Sequence, residues 1–375
     1  MPTAASLTSA FGPRASAARR PALFAAASEG PWLFGRRTDL LAFGGSAALS
    51  VALLAVGYAL GIADGDAPEW VWLGCVLGVD IAHVWTTLFR TYLDRDALRR
   101  DPALYAGVPV LCYTLGVALH AYSAAAFWRV LAYAAVYHFV RQQYGWVKLY
   151  RRRAGETGRL DRVLDTTTIH AATVYPLLYW HAHLPRAFAW MIDGDFVAAL
   201  PRAFTIAVDA LQPLYWTVLG AFVLRQVTLL LTGRAINTGK VLVVLTTWLC
   251  WWLGIIALDS DYAFTVTNVL IHGVPYFVLT YRYGRSRAAR TDRGALRLLL
   301  RGSVPAFVGL VLALAALEAG LWDHWVWHDR PYLFGDGPSL AGGALALLVP
   351  LLAVPQATHY VLDGFIWRRK ALSDG

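Results

Sequence analysis

The chain has 375 residues, of which 58% are hydrophobic and only 15% charged, where soluble domains carry roughly 25% charge. This excludes an ordinary soluble domain and predicts an all-α polytopic integral membrane helix bundle, its 16 Trp and 18 Tyr serving as anchors at two interfaces. The net charge of +9 does not indicate a nucleic-acid partner, because the basic residues recur in alternate loops and do not line one groove or helix face. Cys75, Cys112 and Cys250 sit in apolar runs without CxxC spacing, so they read as packing residues and not as disulfides or thiolate metal ligands.

Residues 1–36 lack the apolar core of a secretory signal and read as a flexible basic cytoplasmic tail. Their Arg, Ser and Ala content also fits a transit peptide, but the whole chain shares that bias. A single membrane domain is expected over 37–370, with a short C-terminal tail at 371–375. A bilayer core needs about 20 apolar residues per helix, and about ten such stretches follow in order: 39–61, 69–91, 103–122, 125–148, 163–183, 212–232, 240–258, 262–282, 302–321 and 339–366. Asp64-Gly65-Asp66, Asp259-Ser260-Asp261 and Gly335-Asp336-Gly337-Pro338 mark turns on one side. The stretch 185–212 mixes charge with Trp190, Phe196 and Phe204 and is expected to lie in the outer interface. An outer Trp/His loop is expected at 322–338.

Orientation follows from the cations. Nearly all Lys and Arg fall in the tails and in the loops that share their side; Arg129, Arg186, Arg202 and Arg330 lie opposite and Arg225 lies within a span. The opposite loops carry Asp64, Asp66, Glu69, Asp193, Asp195, Asp259, Asp261, Asp323 and Asp329. This positive-inside pattern predicts cytoplasmic N- and C-termini in a bacterial inner membrane. The basic rim would also attract anionic lipid headgroups.

Five histidines share one expected depth. His83, His138, His272 and His359 stand seven to ten residues before the cytoplasmic cation that ends their helix, and His170 stands eight after Arg162 on a helix running the other way. At 1.5 Å per residue all five lie roughly 10–15 Å from that boundary. A single imidazole in such a helix can simply bond a neighbouring helix. Several at one level point to mutual pairing or to a shared ion, and neutral imidazole suits Fe, Cu, Zn or Ni. One-turn spacings add Asp80 to His83, Gln142 to His138, Asn268 to His272 and Asp363 to His359, as ligands or as groups that fix a ring's tautomer. Arg225 is a candidate partner for a carboxylate or an anionic headgroup. On the outer side, His324 and His328 form an HxxxH pair that is either an alternative metal site or part of a Trp322, Trp325 and Trp327 interface belt. No GxSxG, GxxxxGK[ST] or strand-borne GxGxxG motif supports hydrolase or nucleotide chemistry.

Single histidines on several helices, with segments such as YHFVRQQYG and THYVLDGFIWR, resemble the Brp/Blh-type membrane proteins that cleave β-carotene. The similarity covers about residues 70 to 366 and implies a non-haem iron held by His83, His138, His272 and His359, acting with O₂ on a lipid-soluble substrate. The HxxxH and HxxHH boxes of membrane desaturases are missing from the cytoplasmic layer. The expected activity is thus a metal-dependent oxidoreductase acting on a carotenoid or fatty acyl chain, with His170 and Asp80 as catalytic groups and a redox partner. Three other readings stay open: a haem protein with two axial histidines, a proton-coupled transporter whose helix breaks at Gly273-Val274-Pro275, and a structural subunit.

Overall fold

Capping chemistry begins the helices close to the predicted turns. Ser123, Asn237 and Ser260 accept backbone N–H bonds at three helix starts, and Pro102 and Pro201 occupy first-turn positions, where the missing N–H costs nothing. Gly61 and Gly155 close two helices in the left-handed conformation. The computed structural model describes residues 31–290, 294–300 and 304–367. The tail before residue 31, the residues from Arg368 onward and the cations within them lie outside the described residues.

Among the described residues there is no strand. Ten long helices form: α1 Arg36–Leu60, α2 Glu69–Phe89, α3 Pro102–Tyr122, α4 Ala124–Ala154, α5 Arg159–Ala182, α6 Pro201–Leu231, α7 Thr238–Ala257, α8 Asp261–Ala288, α9 Val304–Trp327 and α10 Gly342–Ile366. Eight of these are long and apolar enough to cross a membrane. The other two, α4 and α5, carry clustered charge within the helix itself, such as Arg151 to Arg153 and Asp161 to Asp165. α8 is buried along nearly its whole length and packs on α1, α2 and α7, while α5 pairs with α6 and α3 with α10.

The loops sort into two ends as the charge pattern predicted. At the acidic end, Ser260 Oγ bonds the Ala63 carbonyl, Asp261 accepts from Ala67 N, Arg330 pairs with Glu69 and Arg186 with Asp259. At the basic end, Arg90 donates to the Ile366 carbonyl and Arg287 pairs with Asp94.

The stretch 185–212 is a non-helical segment up to Leu200, followed by the first turns of α6; Pro201 starts that helix, and its polar Arg202 and Asp209 are exposed. The segment is anchored by Phe188 and Phe196, buried against Trp180, with Phe188 also stacked on Phe264. The Trp/His loop begins later than expected because α9 continues through Trp327. Gly273-Val274-Pro275 does not interrupt its helix: α8 is continuous. Cys75, Cys112 and Cys250 are free.

Candidate metal centre

Four helices each deliver one histidine to a single point. His83 on α2, His138 on α4, His272 on α8 and His359 on α10 are all buried, and one ring nitrogen from each lies within 4.8 Å of the others. The rings form a closed cycle: centroids are 4.7 Å apart from His83 to His272, 5.1 Å from His272 to His138, 4.5 Å from His138 to His359 and 5.0 Å from His359 to His83. Each meets its neighbours edge to face. Nε2 faces Nε2 at 3.1 Å in both the His83–His272 and the His138–His359 pairs. Gly273 permits this closeness, since a Cβ there would come within 2.5 Å of Val79 on α2. Over Trp72–Ile81 the helix is wound with π-type turns, ending just before His83; such turns are frequent at functional sites.

Of the outward Nδ1 atoms, that of His359 bonds a side-chain oxygen, while those of His83 and His138 have a carboxylate nearby at longer range. His83 Nδ1 is 3.6 Å from Asp80 Oδ1, His138 Nδ1 is 3.7 Å from Asp363 Oδ2, and His359 Nδ1 is 2.7 Å from Thr87 Oγ1. Tyr276 links these last two, donating to Asp363 Oδ1 at 2.7 Å with its own oxygen 3.4 Å from Thr87 Oγ1. Trp367 Nε1 also donates to Asp363 at 2.6 Å. His272 is fixed differently: Phe139 stacks on it at 3.4 Å and 6°, and its Nδ1, like that of His83, has no hydrogen-bond partner.

The supporting groups thus differ in detail from the one-turn spacings. Asp80 does adjoin His83, but Asp363 faces His138 across helices, not His359 on its own. Gln142 leaves the His138 ring alone and donates to the His272 carbonyl at 2.8 Å. Asn268 donates to the Phe264 carbonyl and to Thr267, leaving its Oδ1 unpartnered. Thr87, Tyr276, Trp367 and Phe139 escaped the sequence reading. They are ordinary in composition, and only their rotational phase on the helices brings them in.

His170 does not join the tetrad. Its helix α5 packs mainly on α4, α6 and α7; its Nδ1 bonds the Thr166 carbonyl and its ring lies against Tyr144. His324 and His328 do not share a helix face, because α9 ends at Trp327 and His328 turns into the left-handed region. Among the described residues the tetrad forms the one group of three or more metal-type side chains. Arg225 pairs with Asp161 Oδ1 at 2.7 Å, fulfilling the expectation of a carboxylate partner.

A cavity of about 500 Å³ opens beside the centre, lined by Trp72, Trp128, Trp190, Trp322, Asp80 and Glu318 among others. A neighbouring chamber of about 390 Å³ shares Trp72, Asp80 and Trp190 and adds Phe139 and Asn268. Asp80, which lines both chambers, and Phe139, which lines the smaller one, also adjoin tetrad histidines, so these two side chains stand between the open space and the centre.

Imidazole nitrogens bound to one ion at about 2.0–2.1 Å lie about 3 Å apart at right angles and about 4.2 Å apart across it. The 3.1 Å Nε2–Nε2 pairs match the shorter spacing, and the 4.8 Å limit lies a little above the longer one, so the four nitrogens stand slightly wider than a bound ion would draw them. No family model, curated protein or solved structure matches the chain. Its identity as a candidate metal centre therefore stands on four buried imidazoles converging from four helices.

Proposed function

We propose that this chain is a multi-pass protein of the bacterial inner membrane, with both ends in the cytoplasm, and that it is a non-haem iron oxidoreductase acting on a lipid-soluble substrate of the carotenoid or fatty acyl kind. The convergence of the four Nε2 atoms carries the reading. His83, His138, His272 and His359 would hold the iron, and when bound it would supply O₂ activation. An imidazole donor set suits iron, and the cyclic order of the rings leaves little room for the flat macrocycle of a haem. The continuous α8 removes the broken helix that favoured a carrier.

The protein's own groups have definable tasks. With Nε2 turned to the ion, each Nδ1 would carry the proton: His359 can donate to Thr87, whose hydroxyl can donate to Tyr276, which donates to Asp363, a carboxylate 3.7 Å from His138 Nδ1. This directional chain fixes the His359 tautomer and makes that imidazole a stronger donor. Asp80, which adjoins His83 and lines the cavity, would hold or release a proton at the substrate. Phe139 holds the His272 ring plane.

Elemental analysis of protein purified in mild detergent tests this. About one iron per chain, lost when His83, His138, His272 or His359 is changed to Ala, is expected. A metal-free wild type, or iron retained in all four variants, would overturn it.

A further inference from the structure

The walls of the cavity beside the tetrad are unusual in sign. Asp80, Asp193, Glu318, Asp323 and Asp329 line the larger chamber, and the only cation among its lining residues, Arg330, is already engaged by Glu69 and stacked over Trp72 at 3.7 Å. The remaining walls are largely aromatic, with Trp72, Trp128, Trp190, Trp322 and Trp327. Two buried side chains lining the chambers leave an oxygen without a hydrogen-bond partner: Asp323 Oδ2, in a residue 3% exposed, and Asn268 Oδ1, in one 1% exposed. Both orphans are acceptors. Glu318, also buried, accepts from Trp85 Nε1 at 2.7 Å.

Unpaired acceptors and carboxylates ask for a donor or a positive charge, and indole faces attract cations within about 6 Å of the ring. A carboxylate or phosphate ligand would meet like charge on most sides. A bare divalent ion would leave the indole walls without a role, whereas an organic cation uses both the carboxylates and the rings. We propose that this cavity binds an amphiphilic amine, its ammonium group among Asp80, Glu318 and Asp323 and its apolar body against the tryptophans. This binding is independent of the iron reading above.

The test is titration of purified protein in nonionic detergent, read by tryptophan fluorescence, with benzyltrimethylammonium, benzyl alcohol and phenylacetate as matched probes. Saturable quenching by the cation is expected, with affinity about tenfold or more above that for the alcohol and no saturable effect of phenylacetate. Glu318→Gln removes a buried charge at constant shape, and Asp193→Asn removes an exposed one on the chamber wall. Each is expected to weaken cation binding several-fold. Equal affinity for cation and alcohol, or unchanged binding in both variants, would overturn the proposal. Iron content measured on the same samples separates the two ideas: cation binding by an iron-free protein sustains the cavity and defeats the iron reading, and iron without cation binding does the reverse.

Discussion

Two buried polar clusters sit in this bundle, and they are built on opposite principles. Near the basic end, Lys240 Nζ reaches Glu156 Oε2 at 2.7 Å and Asp165 Oδ2 at 2.9 Å, Arg151 bonds Asp165, and Asn237 Nδ2 donates to Glu156 Oε1 and to the Tyr150 carbonyl. Opposite charges meet there, so the cluster satisfies itself and ties α4, α5 and α7 together. The tetrad instead gathers four like groups with nitrogen facing nitrogen. Hydrogen bonding within the pairs uses one proton per pair; an electron-pair acceptor at the centre uses all four lone pairs at once. A polar cluster that closes on itself is architecture, and one that leaves a common vacancy of charge is a binding site.

Mutation of each cluster sharpens that contrast. The largest effect is expected from any single His→Ala change in the tetrad, which should abolish stoichiometric metal by elemental analysis while leaving the metal-free fold as stable as metal-free wild type. In the ionic cluster the pattern reverses: Asp165→Ala leaves the buried Lys240 and Arg151 sharing Glu156 alone and should cost about 3 kcal/mol in denaturant unfolding, with metal content unchanged in the folded fraction. Chelation of wild type should lower its melting temperature, since an ion held at about 1,000 times its Kd adds about 4 kcal/mol; the tetrad variants should not respond. Asp363→Asn leaves the ligands but weakens their orientation, and metal affinity should fall by about 10–100-fold in competition with a chelator.

The smallest effect concerns a site remote from the metal. Burial pushes the Asp94 carboxyl up, but hydrogen bonds and charge from Arg287, with further bonds from Ala97 N and Tyr283, hold it below its ordinary value. A depressed carboxyl stabilises the fold above its unfolded pKa of about 3.9 and loses that contribution as pH falls through the lower folded value. Asp94→Asn should therefore lower the melting temperature at neutral pH by a few degrees and converge on wild type in acid. A difference that persists undiminished below about pH 3 would contradict the sign.

The contrast also explains what the sequence could reveal. Helix positions follow from apolar length and turn residues, and the distance from each histidine to its basic boundary gives depth; His83, His138, His272 and His359 were legible on that ground alone. Depth along a helix says nothing about which helices are neighbours. His170 has the right height on α5, a helix packed against α6 and not against the tetrad. Rotational phase is equally silent, so Asp363 was paired with His359 on its own helix when it faces His138 across the interface, and Thr87 and Tyr276 gave no signal at all. In the segment ending at Leu200, the burial of Phe188 and Phe196 is tertiary and gave no sign among the polar residues around them.

X-ray absorption at the metal edge of the purified, untreated protein addresses the four-imidazole centre most directly. The geometry predicts one ion per chain whose nearest shell is dominated by nitrogen at about 2.0–2.2 Å, with the outer-shell scattering of about four imidazoles, and loss of that pattern in the single alanine variants. A spectrum dominated by oxygen or sulfur, or an unchanged spectrum after His83 and His359 are both replaced, would contradict it.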